Sequence, residues 1–320
     1  MFKSHFMPEG NKIHTAENTS YISSLSGIER AMREGKILES SVTMCDEELN
    51  LHVNLCGIKG IIPKEECVLS INNEPIKDIA IITRVGKAVC FKVQAIRQEG
   101  DSYVALLSRK AAQAECRNYY LSSLLPGDII PATVTHLDNF GAFLDIGCGV
   151  VSLLSIDCIS VSRISHPCDR LFNGQRIFVA VKSNDTETGR IYVTLKELLG
   201  TWMENSAEFS VGQTVNGIVR SIESYGIFIE LAPNLAGLAE SKEDYPSFRD
   251  LQIGDEVSVY IKSILSDRMK IKLILIDKLP EKNPPAPLRY YVDPKITSKL
   301  DAWKYSPEGC QKRIETIFYT

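Results

Sequence analysis

Two copies of one aromatic motif carry the residues whose types and spacing could do chemistry. The sequence reads DNFGAFLDI at 138–146 and ESYGIFIEL at 223–231. In each copy an aromatic residue stands directly before a glycine, and a phenylalanine follows two positions after that glycine. An outward ring beside a glycine turn can stack on a flat nucleic-acid base. The motif therefore predicts non-covalent binding of bases.

The alternation within the motif predicts which side chains face outward. Successive residues of a strand point to opposite faces of the sheet. In the first copy the aliphatic residues should enter a core, while Phe143 and Asp145 face solvent. In the second copy Phe228 and Glu230 should face solvent in the same way. A phenylalanine that shares its face with a carboxylate is not core filler, so exposed rings are the central functional prediction.

The elements that must position these rings are the strands of small β domains. Glycine turns at Gly86, Gly174 and Gly254 each precede a segment in which every second residue is hydrophobic, which is typical of a half-buried strand. Two earlier glycines, Gly127 and Gly212, are separated by the same interval as the two motifs. The sequence therefore predicts three tandem β domains, of which the second and third carry the motif.

The chain divides into six predicted parts. In the first domain Asn50 and His52 stand on the outward side, where the other two domains have rings, so this repeat is degenerate. A C-terminal segment rich in aromatic residues should pack back on the body. The predicted parts are an N-terminal arm with a short helix (1–34), a degenerate repeat (35–110), a helical linker (111–125), two binding repeats (126–200 and 201–279), and a proline-rich spacer with the C-terminal segment (280–320).

Composition and cysteine usage exclude several classes of protein. No apolar run reaches the roughly 20 residues that span a membrane, and the first residues lack the apolar segment of a signal peptide. Nine cysteines without a Cys-x-x-Cys pair favour a reducing compartment, so a cytoplasmic location is predicted. Zinc ligands usually occur in close pairs. Free cysteines acting as small buried hydrophobes are therefore favoured over a metal site, and no cofactor is predicted.

The charge pattern favours a local basic face on an acidic protein. A net charge of −4 and a pI near 5.8 are unlike a duplex-DNA binder. The last strand of the second domain nevertheless places Arg190 and Tyr192 outward. In the third domain the corresponding strand places Lys270 and Lys272 outward. Ordinary solvated strand faces are the alternative interpretation, and the outward rings of the same domains weigh against it.

Four collinear motifs of the second domain resemble the RNA-binding repeat of ribosomal protein S-one. These motifs are PGDII at 126–130, NFGAF at 139–143, GQRI at 174–177 and DTETGRIYVTL at 185–195. The resemblance covers nearly the whole second domain and most of the third, which is about half the chain. It implies a mainly β fold of three tandem five-stranded oligonucleotide/oligosaccharide-binding (OB) barrels, joined by short helices and followed by a C-terminal extension.

The same resemblance implies that single-stranded RNA binds to one face of each motif-bearing barrel. The resemblance places stacking aromatic residues in both motifs. It also places an acidic and a basic residue, Asp185 and Arg190, before the last strand of the second domain, and one residue more than usual separates them. Outward cations of the third domain complete the set. The predicted RNA-binding residues are Phe140, Phe143, Asp185, Arg190, Tyr192, Tyr225, Phe228, Arg268, Lys270 and Lys272.

One departure from the family pattern concerns a histidine that the repeats often carry. Here the matching positions hold Ser155 and Glu240. A carboxylate at 240 that faced the ligand would repel phosphate. The third domain is therefore predicted to be the weaker binder, and the first a docking or spacing module.

The sequence contains no arrangement typical of an enzyme. We find no nucleophile with a nearby base, no paired catalytic carboxylates and no glycine-rich phosphate loop, so no catalytic residues are predicted. The function predicted is binding of single-stranded RNA, specifically mRNA, in translation or RNA metabolism. The alternative is a protein-interaction scaffold that docks on the ribosome or an RNA-processing enzyme with little RNA affinity. Acidic charge and the degenerate repeat favour the scaffold, whereas the outward rings favour RNA.

Overall fold

Three closed five-stranded β barrels follow one another in the computed structural model, which describes residues 6–70, 75–240, 250–280 and 287–319. This confirms the predicted mainly β fold of OB-type barrels with a few short helices and a C-terminal extension. No helix in the described ranges is long and apolar enough to cross a membrane. Most of the predicted proline-rich spacer falls at 281–286, outside the described residues.

The first barrel is preceded by two helices, α1 (Ala16–Ile22) and α2 (Leu25–Glu34). Helix α2 begins after Ser24, whose hydroxyl accepts a hydrogen bond from the Gly27 amide, and ends at the left-handed residue Gly35. The barrel order is β1-β2-β3-β5-β4, with β3 parallel to β5. Its elements are β1 (Ile37–Cys45), β2 (Leu51–Leu55), β3 (Ile58–Ile62), α3 (Ile79–Ile82), β4 (Ala88–Glu99) and β5 (Ser102–Ser108).

The second and third barrels repeat this topology. Helix α4 (Arg109–Ser123) leads into the second barrel, and α5 (Trp202–Ser206) leads into the third. The strands of the second barrel are β6 (Ile129–Asp138), β7 (Gly141–Asp145), β8 (Val151–Ser155), β9 (Arg176–Asp185) and β10 (Arg190–Thr194). Those of the third are β11 (Thr214–Glu223), β12 (Gly226–Ala232), β13 (Leu235–Glu240), β14 (Glu256–Leu265) and β15 (Lys270–Lys278), and a hairpin of β16 (Ala302–Lys304) and β17 (Glu315–Ile317) follows.

The three barrels share one strand register. A bulge interrupts the first strand of each barrel, and the residue after the bulge pairs with the same position of the second strand. The three pairs are Met44 with His52, His136 with Phe143, and Ser221 with Phe228. His52 therefore occupies in the first barrel the position that phenylalanine occupies in the other two, in agreement with the sequence pattern.

The alternation after the glycine turns predicted the inward residues correctly, but it predicted the exposure of the carboxylates in the two ring motifs wrongly. The apolar residues that alternate after the glycine turns are buried, as in Ile177, Val179 and Val181. Asp145 and Glu230, which were expected to face solvent, are only 4% and 5% exposed. Both point away from their own barrel cores, but the neighbouring parts of the chain cover them. Each carboxylate is thus buried in a junction between barrels.

The C-terminal segment packs on the second and third barrels, as its aromatic content predicts. Trp303 and Tyr305 belong to the hydrophobic core of the third barrel. The amide of Leu300 donates to the carbonyl of Gly127, where the second barrel begins. Gly127 has a φ of 89°, and a Cβ there would lie 1.9 Å from the Leu300 carbonyl oxygen, so only glycine permits this contact.

Candidate nucleic-acid interface

The second barrel presents a cluster of three rings on its outer face. Phe140, in the turn between β6 and β7, is 51% exposed, and its ring lies 5.8 Å from that of Phe143 at an interplanar angle of 89°. His136 on the neighbouring strand stacks on Phe143 at 6.1 Å and 23°. A Cβ on Gly141 would lie 2.4 Å from the Leu154 carbonyl oxygen, so the glycine lets β7 approach β8 closely. The motif therefore sets the rings beside two closely spaced strands of the barrel.

The third barrel repeats the ring pair almost unchanged. Tyr225 is 59% exposed, and its ring lies 6.2 Å from that of Phe228, again at an interplanar angle of 89°. Ser221 occupies the position of His136, so this barrel has two rings where the second has three. The structure thus brings together both predicted pairs of aromatic residues.

The outer face of the second barrel continues across two more strands. Phe143 pairs with Leu153 on β8, and Leu153 pairs with Tyr192 on the parallel strand β10. Arg190 is exposed at the start of β10, and it pairs with Asp185 at the end of β9. The predicted residues of this barrel therefore lie along one continuous surface.

Asp185 shapes the turn that presents Arg190. Its carboxylate accepts hydrogen bonds from the amides of Glu187 and Thr188, both at 3.0 Å, and from the Thr188 hydroxyl at 2.6 Å. These bonds, that of the Thr188 hydroxyl above all, lower the pKa of Asp185. The turn between Asp185 and Arg190 has one residue more than is usual in similar repeats, and these hydrogen bonds hold it in a defined conformation. Asp185 therefore stabilises the turn.

The basic residues of the third barrel are partly neutralised. Lys272 pairs with Leu238 on the parallel strand β13, and its ammonium lies 3.0 Å from the carboxylate of Glu240. Arg268 lies 3.3 Å from the carboxylate of Asp267, while Lys270 is exposed at the start of β15. Fewer cationic groups are therefore available to a phosphate here than the sequence alone indicates.

The first barrel replaces the ring motif with a hydrogen-bonded polar turn. His52 lies on the outer side of β2 but is buried, because the turn folds over it and brings Asp46 Oδ2 to 2.8 Å from its Nε2. Asp46 also accepts hydrogen bonds from the Asn50 amide and side chain. The bond to His52 is the main cause that lowers the pKa of Asp46 to about 2. The described part of this turn offers no aromatic stacking surface.

His136 is the functional candidate that sequence reasoning missed. It is one residue beyond the bulge in β6, and the bulge turns it onto the face of Phe143. A bulge leaves no regular trace in the sequence, since it shifts the alternation by one residue. The signal that could have found His136 is its place opposite Phe143 once the hairpin register is known.

Comparison with known proteins agrees with this geometry. Residues 124–196 match the family model described as S1 RNA binding domain. The chain resembles the S1-repeat proteins. The matched region contains the second barrel with all three rings, and the third barrel shares its register and ring geometry. The resemblance expected from the four sequence motifs is therefore confirmed.

The similar proteins include small ribosomal subunit proteins bS1. That of Leuconostoc lactis is 30% identical over 249 residues, covering 72% of this chain and 55% of that protein. That of Staphylococcus aureus (strain COL) is 29% identical over 270 residues, covering 81% of this chain and 66% of that protein. The chain thus spans between about half and two thirds of the length of these relatives.

Among solved structures, a likeness is found to a crystal structure of an a/eIF2alpha-aDim2p-rRNA complex from Pyrococcus horikoshii OT3. It has 26% identity and a TM-score of 0.23, and covers 26% of this chain and 49% of the matched chain. A likeness of this extent carries no argument about function.

Proposed function

We propose that this protein binds single-stranded RNA on the outer face of its second S1-type barrel, without catalysing a reaction. The observation that carries the proposal is the outward ring pair of Phe140 and Phe143 within the region that matches an S1 RNA binding domain. Stacking of a base on an aromatic ring stabilises the complex by roughly 1–3 kcal/mol per base. Two rings that each stack on a base therefore contribute roughly 2–6 kcal/mol to the free energy of binding.

The ring geometry suits bases that are already unstacked. His136 covers one face of Phe143, and Phe140 meets the same ring edge-on, so the three rings form a preassembled cluster. A strand whose bases are splayed can add to this cluster, whereas a duplex hides the faces of its bases. Single-stranded RNA is therefore the favoured ligand over double-stranded RNA or duplex DNA.

The third S1-type barrel acts as an auxiliary binder in this proposal. It offers an equivalent ring pair, but Glu240 both neutralises Lys272 and adds negative charge to the face. We propose mRNA in translation as the setting, because the relatives are named as small ribosomal subunit proteins. The ribosome or RNA-processing proteins are the proposed protein partners.

One observation favours a scaffold function for the first barrel. Ile79, Ile82 and Val85 are exposed within seven consecutive residues at one end of this barrel. Exposed aliphatic groups that lie close together are typical of protein contact surfaces. The first barrel is therefore proposed to dock on a protein partner through these exposed side chains.

Titration of a fluorescent oligouridine RNA at two salt concentrations tests the function. The double variant Phe140→Ala with Phe143→Ala should bind at least tenfold more weakly, and it should lose less than the roughly 3–5 kcal/mol of stability typical of a buried phenylalanine. The matched control is Tyr319→Ala, which removes a ring that is 76% exposed on the C-terminal segment. If the double variant bound RNA as the control does, the proposed function would be wrong.

A further inference from the structure

A cavity lined by arginine side chains lies where the first barrel, α4 and the outer face of the second barrel meet. Its volume is about 170 Å³, which exceeds the space of a single water molecule. Arg84, which follows α3, lines one wall, while Arg109, Gln113 and Arg117 line another. The three residues of α4 are spaced four apart, so they share one face of the helix. We call this space the junction cavity.

The junction cavity adjoins the ring cluster through Thr135. Thr135 and Val151 line the cavity and are exposed. The Thr135 hydroxyl donates a hydrogen bond of 2.9 Å to the carbonyl of Phe143, and Thr135 directly precedes His136. An RNA strand stacked on the rings would therefore lie next to the cavity, because Thr135 at the cavity and His136 in the ring cluster are adjacent residues of β6.

One arginine of the cavity, Arg117, reaches the turn that presents Arg190. A Cβ on Gly189, which directly precedes Arg190, would lie 3.5 Å from Nη1 of Arg117. Arg117 therefore extends from α4 to the β9–β10 turn of the second barrel. One arginine of the cavity therefore lies beside the residue that precedes Arg190.

The charges around the cavity are not balanced. Arg109 donates two hydrogen bonds to Glu9, of 2.7 and 2.9 Å, and is satisfied by them. Arg84 lies 3.8 Å from the same carboxylate, and its Nε donates a long hydrogen bond of 3.4 Å to the carbonyl of Ala80. Arg117 makes no ion pair within the described residues, and its buried Nε has no hydrogen-bond partner.

The remaining carboxylate of the cavity does not neutralise this excess. Asp145 accepts hydrogen bonds from the amides of Glu9, Gly147 and Gly149. Burial raises the pKa of Asp145 to about 7, so it is partly protonated near neutral pH. Burial is the main cause that lowers the pKa of Arg84, and the neighbouring Arg109 adds to it. Three arginines therefore share the carboxylates of Glu9 and Asp145 around this cavity.

We infer that the junction cavity is a phosphate subsite of the RNA-binding face, in which Arg84 and Arg117 hold a backbone phosphate of a strand stacked on the ring cluster. The inference rests on the proposed function. Guanidinium groups are planar donors whose geometry matches phosphate oxygens. The first barrel, which lacks stacking rings, then takes part in binding through Arg84.

The test compares two charge-matched double variants of the full chain with oligouridine RNA. Arg84→Gln with Arg117→Gln should weaken binding about tenfold near 0.1 M salt. The slope of log affinity against log salt should become shallower by about 0.7, the value for one phosphate contact of a single strand. Arg97→Gln with Lys110→Gln removes the same charge from exposed positions on β4 and α4 and should change neither quantity appreciably.

The outcomes separate this inference from the proposed function. If the Arg84 and Arg117 variant kept its affinity and slope while the Phe140 and Phe143 variant lost binding, the cavity would not be a phosphate subsite and the ring face would stand. If neither variant lost binding, both proposals would fail. If the glutamine variant unfolds, the double variant Arg84→Lys with Arg117→Lys replaces it, because lysine preserves the charge. Binding by this folded variant that is weaker than that of the unchanged protein would support the subsite, and unchanged binding and salt slope would overturn it.

A second arm distinguishes a strand phosphate from a free nucleotide. Uridine monophosphate should compete with the oligonucleotide only at concentrations at least a hundredfold above the oligonucleotide dissociation constant, because it lacks the neighbouring stacked bases. Competition at equal concentration would assign the cavity to a free nucleotide and overturn the inference.

Discussion

The second and third barrels have nearly the same ring pairs but bury their equivalent carboxylates in different ways. At the junction between these two barrels, Glu230 contacts Arg170 and Arg220, and Arg220 also lies 3.2 Å from Asp169. At the junction between the first and second barrels, the equivalent Asp145 is held by backbone amides. We call the first the closed junction, because two arginines there meet two carboxylates, although the buried Nε of Arg170 has no hydrogen-bond partner within the described residues. We call the second the open junction, because three arginines there share the carboxylates of Glu9 and Asp145.

If the inferred phosphate subsite is correct, this difference explains how one fold can make a joint at one end and a binding site at the other. A buried ion pair with all its partners present fixes two surfaces in place, and removal of one partner leaves an uncompensated charge. Guanidinium groups without full carboxylate partners instead attract an external anion. Asp145 and Glu230 occupy the same strand position in their barrels. The number and pairing of the neighbouring arginines therefore determine which kind of junction forms.

The largest effect is expected from breaking the closed junction. Glu230→Ala should lower the free energy of unfolding by about 3–5 kcal/mol, because Arg170 and Arg220 would remain buried without their shared carboxylate. Urea unfolding measures the change, and Glu223→Ala, on an exposed position of β11, is the control. A loss below about 1 kcal/mol would show that this network does not hold the two barrels together.

A smaller effect that depends on pH is expected at the open junction. Because the pKa of Asp145 is raised to about 7 in the folded protein, its contribution to stability is fully present below about pH 4 and is lost as the pH rises to 7. Stability should therefore fall steadily as the pH rises through this window. Asp145→Asn should remove this slope.

Urea unfolding of both proteins from about pH 4 to about pH 8 measures the contribution of Asp145. The side-chain amide introduced by Asp145→Asn cannot ionise. Any change in its hydrogen bonds alters the free energy of unfolding by the same amount at every pH. The difference between the two curves therefore isolates the carboxyl group. A difference that is constant with pH would contradict the assignment.

The two ring pairs should contribute unequally to RNA binding. Tyr225→Ala with Phe228→Ala should weaken binding of oligouridine about threefold, against at least tenfold for the equivalent pair of the second barrel, because the third barrel has no ring at Ser221 and its Lys272 is paired. Anisotropy titration of both double variants measures the ratio. Equal losses would mean that the two faces bind with equal strength.

The smallest effect is expected from freeing a cation on the third barrel. Glu240→Gln should strengthen RNA binding about twofold, because exposed ion pairs are worth only about 0.2–1 kcal/mol and Lys272 would then face the phosphate unpaired. The same titration detects the gain, and Asp267→Asn, beside Arg268, provides a comparison on the same barrel. Weaker binding by Glu240→Gln would show that the carboxylate itself contacts RNA.

Much of the fold could be predicted from the sequence because strand alternation reports the inner face of a barrel directly. The residues that follow the glycine turns, such as Val89, Ile177 and Val257, are buried as expected. The outer face could not be predicted in the same way. Asp145 and Glu230 point outward by alternation, yet whether an outward residue meets solvent or another barrel depends on contacts between distant segments.

The candidate site was predictable to a similar extent. The ring pairs could be located because the glycine that permits each turn is adjacent to the rings in sequence. His136 could not, since a bulge sets its direction. Arg84 and Arg117 belong to different elements, and only the packing of α4 between two barrels brings them to one cavity.

The contact of Leu300 with Gly127 also has a consequence for the order of events during synthesis. The second barrel is complete in sequence long before the segment that covers its first strand has been made. At roughly 5–20 residues per second, that segment emerges on the order of 5–20 s later. During this interval the Gly127 carbonyl and the Ile129 amide, which later bond Leu300 and Ser298, have only water as partners. The nascent second barrel therefore exists for a time with one edge uncovered.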